Sequence, residues 1–146
     1  MTHQATIISF ANHKGGVGKT TTTASVGSIL ASLGKKVLLV DMDAQSNLTS
    51  SLLKNEGVEL TIYDALSASC RGAAYNLAVY PIAENLDIVP SSLRLASADL
   101  ELSSVMAREH LLSDVLQSQV TNYDYILIDC PPSLGLLTLN ALTASN

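Results

Sequence analysis

The stretch Asn12-His13-Lys14-Gly15-Gly16-Val17-Gly18-Lys19-Thr20-Thr21 follows an apolar run from Ala5 to Ala11 and precedes a helix-like segment. Gly15, Gly16 and Gly18 let the backbone curl with its N–H groups turned inward, and a helix N-terminus directly behind them adds partial positive charge. A turn of that kind holds a polyphosphate. Lys19 is placed to reach the β and γ phosphates and Thr20 to offer its hydroxyl to Mg²⁺. The spacing departs from the ordinary G-x-x-x-x-G-K-[ST] pattern: its first glycine would fall at His13, and a second lysine, Lys14, stands just inside the loop. A cation so close to the turn must face either the bound nucleotide or a neighbouring chain; the plainer alternative is a solvated loop lysine.

Two further stretches bring carboxylates. Val37 to Val40 reads as a buried strand that runs into Asp41-Met42-Asp43-Ala44-Gln45, and Tyr125 to Asp129 is an apolar run ending in aspartate. Parallel sheets gather their ligand chemistry at the C-terminal ends of strands, which is where all of these aspartates fall. Asp129 is expected beside the loop strand, giving one carboxylate to the Mg²⁺ shell. Asp43 and Asp41 either serve the same chemistry or cap the helix that follows.

The elements that must position these residues can be read in outline. Ala5 to Ala11 is apolar on both faces and is expected as a central first strand. From Thr20 to Leu33 the residues Val26, Ile29, Leu30 and Leu33 recur at helical spacing and predict one buried stripe, with a stop at Gly34. A short helix is expected from Ser46 to Lys54, ended by Asn55 to Gly57. Thr61-Ile-Tyr-Asp64 predicts a capped helix start, with loop from Ser67 to Ala74. Leu77 to Tyr80 and Leu86 to Val89 read as short strands around Pro81 to Asn85. Helices are expected from about Leu93 to Leu102, from Met106 to Val120 with Leu112, Val115 and Leu116 on one face, and from Leu136 to Ala144 after the rigid turn Cys130 to Gly135.

With 146 residues, nearly half of them hydrophobic, few aromatic and none Trp, the chain is one domain whose core must be packed from Val, Leu, Ile and Ala. Buried parallel strands are built that way, so the fold class expected is α/β with a doubly wound, mostly parallel sheet. A formal net charge of −5 argues against this segment alone gripping nucleic acid. No apolar run approaches the ~18 residues a membrane span needs, and no export signal is visible. Cys70 and Cys130 show neither pairing nor metal spacing, which fits a reduced, cytoplasmic protein.

The three motifs K-G-G-V-G-K-T-T at Lys14 to Thr21, V-D-M-D-A-Q at Val40 to Gln45 and Y-D-Y-I-L-I-D-C-P-P-S-L-G at Tyr123 to Gly135 stand in the order of the ParA/MinD superfamily. The chain resembles its Soj-type partition ATPases, which carry a deviant Walker A loop. The resemblance implies a P-loop NTPase fold and an ATPase that uses Mg²⁺, with Lys14, Lys19 and Asp43 catalytic. It further implies that residues 14 to 21 bind the nucleotide, that Thr20 and Asp129 hold the metal directly or through water, and that Asp41 lies just behind the metal's ligands. Lys14 is the signature lysine that crosses to the other subunit of an ATP-dependent homodimer. A ParB-like partner and DNA are implied for the full-length protein, DNA through a C-terminal region not present here. Family members are usually ~100 residues longer, so the chain looks like an N-terminal portion with an incomplete sheet and an exposed edge, poorly stable or aggregation-prone alone. The MinD branch, which works on a membrane, and a truncated non-catalytic fragment are the alternatives. Cys130 resembles a cluster ligand of the nitrogenase iron protein, but the glycines that follow in that site are lacking.

Overall fold

Val37–Asp41 (β2) is buried along its whole length, and the rest of the fold is layered on it. The structure, a computed structural model, describes residues 2–12, 14, 16, 18–54 and 58–146. Among these, Thr6–Phe10 (β1), Tyr80–Ala83 (β3), Leu86–Val89 (β4) and Tyr125–Asp129 (β5) join β2 in a five-stranded sheet of order β1-β5-β2-β4-β3. All neighbours are parallel except β3, which pairs antiparallel with β4. The C-terminal ends of β1, β5 and β2 are in register, with Phe10 opposite Asp129 and Asp129 opposite Asp41.

Alternation of side chains divides the core between two faces. Leu38, Val40, Ile126 and Ile128 face Ile62–Cys70 (α3), Ala98–Leu102 (α4), Leu111–Leu116 (α5) and Leu136–Ala144 (α6). Val37, Leu39 and Leu127 face Lys19–Ser32 (α1) and Asn47–Leu52 (α2). The result is the doubly wound three-layer arrangement expected from composition.

Several expectations need correction. The first strand is outermost among the described strands: β1 pairs only with β5, and its other side is met by Asn146, whose N–H donates to the Ile7 carbonyl and whose Oδ1 accepts from the Ile7 N–H. On α1 the stripe is misplaced, since Ile29 and Leu33 are 60% and 70% exposed while Thr23, Gly27 and Ala31 are buried. Helix α3 continues to Cys70 through part of the expected loop, ending before Gly72 with its φ of 67°. Strand β3 lies later than expected and includes Pro81, which an edge strand tolerates. The helix expected from Met106 onward is a 3-10 turn at Arg108–His110 followed by the short α5. Residues 55–57, expected to end α2, lie outside the described residues.

Small residues on α1 let it approach the sheet closely. A Cβ at Gly27 would stand 2.8 Å from Leu39 Cδ2 and within ordinary contact of Leu86 and Leu127. Overpacking of that kind costs ~1–3 kcal/mol, against ~1 kcal/mol gained in helix propensity. Gly27→Ala is therefore expected to lower stability by about 1 kcal/mol in urea titration; an unchanged midpoint would mean that the helix has room to spare.

Candidate functional site

The loop between β1 and α1 is turned by left-handed glycines, Gly16 at φ 70° and Gly18 at φ 83°. Residues with a Cβ adopt that conformation at a cost, so the glycine spacing seen in the sequence is a backbone requirement. Gly18 is also the N-cap of α1 and supplies no side-chain cap. The amides of the helix's first turn are thus left for another acceptor, the usual provision for an anion. Gly16, Gly18, Lys19, Thr20 and Thr21 line one wall of a cleft of about 440 Å³; Asp43, Gln45, Asn47 and Pro132 line the rest. Gly15, Val17 and His13 lie outside the described residues.

Across the floor of this region Thr20 Oγ1 donates to Asp129 Oδ2 at 2.7 Å. The other carboxylate oxygen, Asp129 Oδ1, is buried and has no hydrogen-bond partner among the described residues. Burial pushes the Asp129 carboxyl above the usual carboxylate range; the Thr20 hydroxyl and the Lys19 ammonium pull it back, and Asp43 adds to the rise. A buried anionic oxygen without a donor costs ~1–3 kcal/mol or more, and a cation removes that cost. A hydroxyl and a carboxylate side by side match the hard-oxygen donors that Mg²⁺ takes. No group of three His, Cys, Asp or Glu among the described residues is arranged to hold an ion by itself. That suits Mg²⁺, which takes one or two carboxylates and completes its shell with phosphate oxygens and water.

The two aspartates after β2 separate in role. Asp43 is buried at the cleft wall, and its Oδ1 accepts from the Gln45 N–H at 3.0 Å, an aspartate turn that leads into α2. Asp41 is 0% exposed. Its Oδ2 accepts from the Thr49 N–H at 2.9 Å and the Thr49 hydroxyl at 2.7 Å, and its Oδ1 accepts from the Asp43 N–H at 3.1 Å. Burial raises its pKa to about 6 against those hydrogen bonds. Because Thr49 is in the first turn of α2, Asp41 caps that helix from a distance. Both oxygens of Asp41 are thus engaged by the fold, which makes it a cap of α2 and leaves it unsuited as a direct metal ligand, while a place just behind the metal's ligands is compatible with these bonds.

Lys14 is exposed and its N–H donates to Asn12 Oδ1 at 2.9 Å; it does not line the cleft. Cys130, next to Asp129, is buried, and burial pushes its thiol up to about 12, so it stays protonated. Asn47, Pro132, Thr49 and Ser91 were not singled out from the sequence. Pro132 and Gln45 sit inside the quoted motifs, which was a usable signal, whereas Asn47, Thr49 and Ser91 are polar residues of unremarkable spacing that only the fold brings near.

Comparison with known proteins now bears on this geometry. A family profile described as an AAA domain matches residues 5–146. The sporulation initiation inhibitor protein Soj of Bacillus subtilis (strain 168) is 49% identical over 141 residues, covering 96% of this chain and 55% of that protein. The chain spans about half the length of the curated relatives it matches. Among solved structures, cobyrinic acid a,c-diamide synthase from Mycobacterium smegmatis with bound ATP analog and magnesium has a TM-score of 0.86 at 38% identity, over 97% of this chain and 57% of that one. A plasmid partition protein from Borrelia burgdorferi has a TM-score of 0.86 at 32% identity, over 97% and 62%. With its glycine-turned loop, the Thr20–Asp129 pair and this match across almost its entire length, the chain belongs to the AAA-domain family of Soj- and ParA-type P-loop ATPases.

Proposed function

We propose that the chain binds ATP with Mg²⁺ at the β1–α1 loop and hydrolyses it, and that this cycle drives an ATP-dependent homodimer switch in plasmid or chromosome partition. The observation that carries the reading is the Thr20–Asp129 hydrogen bond beside a buried carboxylate oxygen that has no partner among the described residues, at the end of a glycine-turned loop. The loop amides and Lys19 bear the phosphate charge, while Thr20 and Asp129 are the residues that hold the metal. Mg²⁺, when bound, neutralises charge on the β and γ oxygens. Asp43, which lines the same cleft as Lys19, orients the attacking water.

Lys14 has a different task. Exposed and not among the residues that line the cleft, it reaches phosphates held by a second copy, so that nucleotide becomes a ligand of the pair and mass action ties assembly to ATP. The names of the relatives, Soj and a plasmid partition protein, support partition as the process. A ParB-like partner, DNA as the surface and a cytoplasmic, nucleoid-associated location follow from the same reading. No helix among the described residues is long and apolar enough to cross a membrane, and no membrane contact is proposed.

The test is titration of a fluorescent ATP analogue with and without Mg²⁺, followed by light scattering on addition of ATP. Binding that needs Mg²⁺, and an ATP-induced dimer that Lys14→Ala abolishes, are the expected results. Absence of Mg²⁺-dependent binding sinks the nucleotide reading; a dimer that forms equally well in Lys14→Ala sinks the cross-subunit role alone.

A further inference from the structure

Both backbone groups of Asp43 are held by a closed circuit of side chains outside the cleft. Its N–H donates to Asp41 Oδ1 at 3.1 Å; Asp41 Oδ2 accepts the Thr49 hydroxyl at 2.7 Å; Thr49 Oγ1 accepts the Ser91 N–H at 2.9 Å; and Ser91 Oγ donates to the Asp43 carbonyl at 2.6 Å. Every member is buried. The circuit draws on the end of β2, the first turn of α2 and the segment just after β4, and so ties α2 to two strand ends that the sheet already holds side by side. Next to it, the Met42 N–H donates to the Asp129 carbonyl at 2.9 Å, so the same backbone is tied to the strand that carries the metal-side carboxylate.

We infer that Thr49 and Ser91, with Asp41, are positioning residues for hydrolysis: they fix the Asp43 backbone so that its carboxylate meets the cleft at one angle relative to Asp129. The inference rests on the proposed ATPase reading and adds to it the residues that set its geometry. Helix capping alone explains why Asp41 accepts from the Thr49 N–H. It does not explain the Ser91 hydroxyl bond to the Asp43 carbonyl, which adds to the Ser46 N–H on the same oxygen, makes no contact with α2 itself and closes the loop. Buried polar networks of this kind rigidify when every link is made and loosen as a unit when one is lost, and small misplacements near reacting atoms cost rate out of proportion to their size.

The experiment compares Thr49→Val, Thr49→Ser and Ser91→Ala with wild type in two measurements. The first is amide hydrogen exchange of the nucleotide-free protein, read at Asp43. The second is steady-state hydrolysis of MgATP. For Thr49→Val and Ser91→Ala, protection at Asp43 is expected to fall roughly tenfold, and kcat to fall tenfold or more. KM should stay within about twofold, and Thr49→Ser should restore both kcat and protection. Unchanged protection, unchanged kcat despite lost protection, or a loss carried by KM each overturns the inference. Ser91→Ala removes one hydroxyl and spares the α2 cap, so it keeps the test decisive if Thr49→Val does not fold. Failure of the wild-type protein to bind or turn over nucleotide is seen before any variant is read, and refutes the ATPase reading instead.

Discussion

Asp129→Asn is expected to stabilise the nucleotide-free protein by about 1–2 kcal/mol and, in the same molecule, to weaken Mg²⁺-dependent nucleotide binding roughly a hundredfold. The first half follows from the partnerless oxygen. Asp129 Oδ1 is buried without a donor among the described residues and shares the strand ends with Asp41 and Asp43, so its charge is a cost to the empty fold. An asparagine keeps an oxygen for the Thr20 hydroxyl and removes the charge. The second half follows from the proposed metal role of that charge, since a metal held by the Thr20 hydroxyl and the Asp129 carboxylate would lose the carboxylate's charge. Urea unfolding of the empty protein and a Mg²⁺ titration at fixed nucleotide check the two halves. A variant that is less stable and binds as before would show that Asp129 is a structural carboxylate and not a metal ligand.

Acid should also stabilise the empty fold over a defined window. Burial raises the Asp41 pKa from 3.8 to about 6. Because the folded state holds the proton more tightly than the unfolded chain, the contribution is fully present below about pH 4 and is lost as the pH rises through about 6. At 1.36 kcal/mol per pKa unit it amounts to about 3 kcal/mol. Asp129, also raised by burial, adds a slope of the same sign. Glu101, held low by the Tyr63 and Ser97 hydroxyls, is fully exposed and adds little against it. Stability by urea unfolding at pH 4.5 and 7.5, in wild type and Asp41→Asn, isolates the effect: the wild type gains on acidification and the variant gains less. Equal slopes would mean that Asp41 titrates as it does in the unfolded chain.

The nucleotide loop, the strand ending in Asp129 and the α/β class were legible because each has a local signature: glycines where φ must be positive, apolar runs of strand length, a lysine and threonine at a helix start. The face of α1 was not legible. Periodicity favoured Ile29 and Leu33, but the sheet selects Thr23, Gly27 and Ala31, because close approach favours small residues over apolar ones. The span of α3 was cut short for a related reason: Ser67, Ser69 and Cys70 are poor helix formers, yet Ile62, Ala65, Leu66 and Ala68 bury one side and carry the helix through them. Whether Asp41 serves the metal or caps α2 stayed open because both aspartates after a strand look alike in sequence. What separates them is Thr49, eight residues on, and Ser91, far along the chain, and no motif announces either partner.

The flanks of the sheet are unlike. On one side β3 carries Pro81, which has no N–H to offer a newcomer; on the other, β1 is fastened by one asparagine, Asn146, whose side chain also donates to the Ala5 carbonyl. Because β1 leads straight into the glycine-turned loop, a change at the Asn146 contacts is only a few residues away from the phosphate cradle.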